Sequence, residues 1–223
     1  MYLRSGVIEG YVLPRRGSVD APLRVAVLIS GGGSGLASII KYEGKGNRAY
    51  KTVLVLSDSE EAPGLRHGLS NGIKTIGLTV PRLEGKKESR LAHERTVHSR
   101  LVENHVELVV LAGYMRILTP SFVGHWKGRL LNIHPSLLPK YPGAHAHRDA
   151  LLDQAKVSGC TVHLVDEGVD SGPILAQSEV PVHRSDSVDD LQNRIKLVEH
   201  DLYPRIIDEY STDPKSFIHR LVN

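Results

Sequence analysis

The chain has one cysteine, one tryptophan and two phenylalanines in 223 residues. A lone Cys160 excludes an internal disulfide and a cysteine-only metal site. Such a chain fits a reducing compartment, and a cytoplasmic location is the expectation. No apolar run approaches the ~20 residues of a membrane helix, so no membrane partner is expected. No basic start leads into an apolar stretch of the signal-peptide kind. Charge of one sign is also scarce: the net value is +3. Lysine and arginine are spread along the chain, which leaves no footprint for nucleic acid. With 40% hydrophobic and 24% charged residues, disorder and collagen-like order are excluded. The length allows a real core without covalent staples.

Residues 1–22 carry scattered glycine and proline with Arg15 and Arg16. They read as a loosely ordered, dispensable extension with one short strand over 7–13. Residues 23–223 read as a single domain. Its first segment, 24–29, is apolar and β-branched throughout, as in a strand buried on both faces of a parallel sheet. Glycines follow, then a helix start at 36–40. Further strands are predicted at 52–56, 75–78, 108–112 and 129–133. Helices are predicted at 64–70 and 88–104, the latter with Leu91, Val97, Leu101 and Val102 facing inward. The alternation predicts an α/β fold with a doubly wound, mostly parallel sheet. Segments 160–165 and 174–181 look like late antiparallel strands. Ser187 through Asp190 resembles a capping box. Behind it, Val188, Leu191, Ile195, Val198 and Leu202 form one helical face.

Gly31, Gly32, Gly33, Ser34 and Gly35 join the first strand to the first helix. Backbone N–H groups in such a loop approach a phosphate, and the helix end adds its positive pole. The residues alone leave three readings open. One is a phosphate cradle, one a bare tight turn, and one a nicotinamide site using Asp58, hence a nucleotide-binding oxidoreductase.

The densest chemistry lies between Asn132 and Gly143. Asn132 and His134 are two apart at the carboxyl end of a strand, so they point to the same side. Ligands of open α/β sheets collect at that edge. Asp170 sits in a later loop within reach of His134. An amide, an imidazole and a carboxylate suit acyl transfer: an amide N–H meets a developing oxyanion while the imidazole and carboxylate handle a proton. No nucleophilic serine or cysteine is well placed, which predicts direct transfer. A zinc site using His145 and His147, with His134 and His163 nearby, lacks carboxylates at supporting spacing and sits in what reads as a mobile loop. No metal is expected.

The segments 24–40, 111–118, 132–143, 165–174 and 194–204 together resemble the glycinamide ribonucleotide formyltransferase family, within the wider 10-formyltetrahydrofolate transferase and hydrolase superfamily. The likeness runs in order from about residue 23 to about 210. It implies a folate-dependent enzyme of purine synthesis, with glycinamide ribonucleotide and 10-formyltetrahydrofolate as small-molecule substrates and a monomer or homodimer as the working form. Carried over by position, Asn132 and His134 stabilise the oxyanion, and Asp170 pairs with His134. Gly31 to Gly35, Arg90, Lys196 and Glu199 bind the ribonucleotide. Met115, Arg116, Ile117, Leu118, Val165, Asp166 and Asp170 line the folate site, with Arg116 toward its anionic tail. His145, His147, Thr161 and His163 support the centre. Gly32 and Gly35 depart from the family's polar residues in the glycine loop. Other transferases and hydrolases of the superfamily are the alternative. The residues after 210 are too few for a methionyl-tRNA formyltransferase's second domain, and residues 1–22 too few for a hydrolase's regulatory domain. A catalytically dead nucleotide-binding module is a further rival.

Overall fold

The computed structural model describes Val7, Ile8 and residues 10–217. After two short strands, β1 (Val7–Ile8) and β2 (Tyr11–Val12), the chain runs β3 (Leu23–Ile29), α1 (Ser34–Glu43), β4 (Tyr50–Ser57), α2 (Leu65–Ser70) and β5 (Lys74–Gly77). It continues through α3 (Lys86–Glu103), β6 (Leu108–Leu111), α4 (Pro120–Trp126), β7 (Leu130–His134) and α5 (Ala146–Leu152). Two strands and a long helix finish it: β8 (Val157–Leu164), β9 (Ile174–Pro181) and α6 (Val188–Thr212).

The main sheet has seven strands in the order β5-β4-β3-β6-β7-β8-β9. The first five are parallel; β8 and β9 run antiparallel. Alternate residues of β3 serve two cores. Val25, Val27 and Ile29 pack with α1, α5 and α6, while Ala26 and Leu28 pack with α3 and α4. This two-sided burial is why β3 and β6 read as unbroken apolar runs. Strand order reverses between β3 and β6, which opens a crevice at their carboxyl ends. The glycine loop after β3 and the loop after β6 meet there. Ser30 N–H donates to the Gly113 carbonyl at 3.1 Å, and Met115 N–H donates to Ser30 Oγ at 2.8 Å.

Several expectations need correction. The segment at 10–22 is not loose. Leu13 is buried in the main core, Gly17 N–H donates to the Ser211 carbonyl at 2.8 Å, and Arg15 makes a two-pronged ion pair with Glu107 at 2.6 and 2.9 Å. The single strand over 7–13 is instead two short antiparallel strands with a turn at Gly10, whose φ of 79° favours glycine. Two seven-residue helices, α4 and α5, add to the predicted elements, and α5 begins in the segment read as a mobile loop. Val102 and Val188 are exposed. On α3 Val97 and Leu101 are buried as expected, and His93 and Glu94 rather than Leu91 and Val102 complete the buried face. His93 is sustained there by Tyr114 Oη at 3.0 Å, and Glu94 by the N–H and hydroxyl of Thr119. The capping box at Ser187 and Asp190 is present as expected.

Candidate active site

The site grows from strand register. On β7, Asn132 lies opposite His163 of β8, and His134 lies opposite Thr161. Asn132 and His134 are two apart, so both project to one face at the carboxyl edge. The loop between β8 and β9 returns Asp170 to the same point. His134 Nδ1 lies 3.2 Å from Asp170 Oδ2, and His163 Nε2 lies 3.6 Å from Asp170 Oδ1. Gly143 N–H donates to Asp170 Oδ2 at 2.8 Å. The amide, imidazole and carboxylate expected from the sequence therefore converge. Asp170 itself has a φ of 52°, a left-handed conformation that non-glycine residues adopt at a cost of about 1–2 kcal/mol.

Proton positions follow from the partners. His163 Nδ1 faces the Leu164 carbonyl at 2.9 Å, and a carbonyl only accepts, so Nδ1 carries the hydrogen. In the neutral ring Nε2 is then an acceptor. It faces the Asn132 amide at 3.1 Å, which must present its NH₂ there. One N–H of Asn132 is thus committed and the second stays uncommitted on a half-buried side chain. His134 differs. Its Nε2 lies 2.8 Å from the Tyr141 carbonyl, and its Nδ1 faces Asp170. Both neighbours are acceptors. A neutral ring leaves one lone pair opposite an oxygen; a protonated ring satisfies both. Neither nitrogen is free for a further acceptor in this geometry, whereas Asn132 keeps one N–H to spare.

Electrostatics sharpen this picture. Burial lowers the His134 pKa below the ordinary histidine value, and it outweighs the Tyr141 carbonyl and Asp170, which both favour the charged ring. Burial pushes the Asp170 carboxyl up, but the neighbouring His163 imidazole, the Gly143 N–H and the charge of His134 hold it below its ordinary value. Both shifts favour a neutral imidazole beside an ionised carboxylate. Thr161 is buried beneath it. Its hydroxyl donates to the Ser136 carbonyl at 2.6 Å and accepts from Leu138 N–H at 3.0 Å.

Gly31 and Gly32 border open space, and Gly33 caps α1 in a left-handed conformation with φ 69°. No side chain caps α1 and no acidic residue lies in its first turn, so its leading N–H groups have no side-chain acceptor. Gly35 rests against Ala112, beside the end of β6. Glu199 and Lys196 lie on α6, and no ion pair joins them among the described residues. Burial raises the Glu199 carboxyl to about 7, with Lys196 opposing. Arg90 is exposed in the first turns of α3. Met115 and Ile117 project from the loop after β6 at 77% and 66% exposure, and Leu118, Val165 and Asp166 are half-buried.

Arg116 has a partner that the sequence does not show. Its Nε lies 2.8 Å from Asp58 Oδ2, an ion pair on a side chain that stays partly exposed. The same pair occupies the acid on which a nicotinamide reading relied. His145 and His147 sit at the start of α5, not in a mobile loop. Burial, with the charges of His134 and Lys196, lowers His147. No group of three or more metal-ligating side chains is found among the described residues. Tyr141 and Gly143 were missed as site residues because they act through backbone atoms, which sequence does not distinguish.

Residues 23–207 match the family model described as formyl transferase. The phosphoribosylglycinamide formyltransferase of Escherichia coli K12 is 43% identical over 190 residues, which is 85% of this chain and 87% of that protein. The trifunctional purine biosynthetic protein adenosine-3 of Chironomus tentans is also 43% identical, over 82% of this chain. The chain spans only 13% of that longer protein. Among solved structures, glycinamide ribonucleotide transformylase 1 from Symbiobacterium toebii superposes with a TM-score of 0.80 at 39% identity. That match covers 85% of this chain and 88% of the other.

Proposed function

Because the chain belongs to the formyl transferase family, we propose that it moves the formyl group of 10-formyltetrahydrofolate to the primary amine of glycinamide ribonucleotide. The products are formylglycinamide ribonucleotide and tetrahydrofolate, as in purine biosynthesis. The observation that carries this reading is the convergence of Asn132, His134 and Asp170 beside a glycine loop whose helix has no side-chain cap.

The amine nitrogen attacks the formyl carbon, and a C–N bond forms as the carbonyl oxygen gains negative charge. The uncommitted N–H of Asn132 donates to that oxygen. The Asp170–His134 couple takes the proton that the amine loses. The bond from the formyl carbon to folate N10 then breaks, and the proton goes to N10. No covalent enzyme intermediate is needed. The N–H groups of Gly31 to Gly35 and the guanidinium of Arg90 hold the ribonucleotide phosphate. Lys196 adds charge there, and Glu199 accepts from ribose hydroxyls. Met115, Ile117, Leu118, Val165 and Asp166 line the folate site, where an apolar rim left exposed in the free protein has a use. His145, His147, Thr161 and His163 support the centre. We place the enzyme in the cytoplasm, as a monomer or homodimer, acting through residues 23–223 as one domain on small molecules, with no nucleic acid or membrane partner.

The test is direct. Purified protein is given both substrates, and absorbance of the deformylated folate is followed. Formation only when the ribonucleotide is present supports transfer. Formation at the same rate without it means hydrolysis, and no formation removes the reading.

A further inference from the structure

Tyr141 carries a φ of 54°, the left-handed region that disfavours any residue with a side chain. Something must hold it there, and its phenol is tied: Tyr141 Oη donates to Asp153 Oδ2 at 2.5 Å. Asp153 stands immediately past α5, a helix fixed by the buried Ala146 and Ala150. The strained backbone turns the Tyr141 carbonyl onto His134 Nε2 at 2.8 Å and within 3.3 Å of Ser136 Oγ. Two residues on, Gly143 N–H grips Asp170, the partner of the other ring nitrogen. An unbroken run of contacts links Asp153, Tyr141, His134, Asp170 and Gly143.

We infer that Tyr141 and Asp153 are positioning residues for His134: the Asp153 carboxylate anchors the phenol, and that anchor keeps the Tyr141 carbonyl on Nε2 and so fixes which nitrogen carries the hydrogen. The inference rests on the role proposed above for His134. With Nε2 pinned as a donor, the neutral ring takes up a proton at Nδ1, on the side of Asp170. Without the pin, Asp170 competes for the ring hydrogen and the protonation site reverses. The other charged or titratable groups facing this point are His163 from β8 and His147 from α5, with Lys196 of α6 beyond His147.

The experiment is ¹⁵N-histidine NMR of the resting protein together with pH profiles of turnover, on Tyr141→Phe, Asp153→Ala and Asp153→Asn. The wild type should show the Nε2–H tautomer for His134. Tyr141→Phe and Asp153→Ala should shift it toward Nδ1–H. They should also lower kcat about 3- to 10-fold, the worth of one net hydrogen bond, with KM for both substrates within about twofold. Their acid limb should move to lower pH, because the carbonyl bond favours the charged ring. Asp153→Asn keeps an acceptor oxygen and should behave as wild type. An unaltered tautomer and pH profile in both Tyr141→Phe and Asp153→Ala would overturn the inference. If Asp153→Ala does not fold, Tyr141→Phe carries the test, since it removes one oxygen. The NMR signal is read without substrates, so a wild type that transfers no formyl group would remove the proposed function while the tautomer is still decided.

Discussion

At the scale of single residues, chemistry turns on atoms that have one partner too few or too many. Asn132 has a spare N–H and His134 has two acceptors. Asn132→Ala should therefore lower kcat about 10²- to 10³-fold, the range for one oxyanion donor, with ribonucleotide KM little changed. Steady-state kinetics check this, and near-normal kcat would contradict it. Glu199 gives a second prediction. Its carboxyl titrates at about 7 because burial raises it. As the acceptor for ribose hydroxyls it should make ribonucleotide KM fall as pH rises from 6 to 8, and Glu199→Gln should flatten that slope. Folding stability follows the opposite pH trend. A raised carboxyl pKa adds stability below its unfolded value that is lost as pH climbs through 7. Glu199→Gln should thus raise the melting temperature at pH 8 more than at pH 5, by scanning calorimetry.

The sequence made Asn132, His134 and Asp170 legible because the chemistry sits in their side chains. Tyr141 was hidden because its contribution is a carbonyl. The Arg116–Asp58 pair was not legible because only folding brings the two together.

At the scale of elements, legibility tracked length and burial. The strands β3 and β6, apolar on both faces, stand out in any reading. The helix α6 announces itself through Ser187, Asp190 and a regular apolar face. The helices α4 and α5 have seven residues each, too few for a periodicity to emerge. The signal for α4 was Thr119 before Pro120, a capping residue followed by proline at the first helical position. No comparable cue precedes α5, whose cap residue His145 makes no side-chain bond. The segment at 10–22 was underestimated because its ties are distant in sequence. Leu13→Ala should cost about 2 kcal/mol, the low end for a leucine truncation, since a surface segment closes a gap more readily than a strand. That is about 4–8 °C in melting temperature for a chain of this size, with kcat unchanged because the segment's bonds go to Lys127, Glu107, Ser211 and Asp213 and not to Asn132, His134 or Asp170. Thermal melts and kinetics on the same variant check both halves.

At the scale of the whole molecule, the fold class followed from alternation alone, while the site required the crossing of loops at the switch between β3 and β6. Burial lowers the pKa of His93, His98, His134, His147 and His200. Each binds its proton more readily when unfolded, so stability is full above about 6.5 and falls as pH drops below it. Asp170 and Asp190, held below the ordinary carboxylate value, add to the loss at still lower pH. The melting temperature should decline from pH 7.5 to 5.5, despite the opposing trend of Glu199. A flat or rising profile over that range would mean these histidines are not buried as described.

In the proposed reaction one carbon passes directly between two bound small molecules. The most direct measurement supplies ¹³C-formyl folate with the ribonucleotide and follows the label by NMR. The label should move one-for-one onto the ribonucleotide nitrogen with no free formate, and Asn132→Ala should slow that transfer. Label appearing as formate, or remaining on the folate, would contradict it.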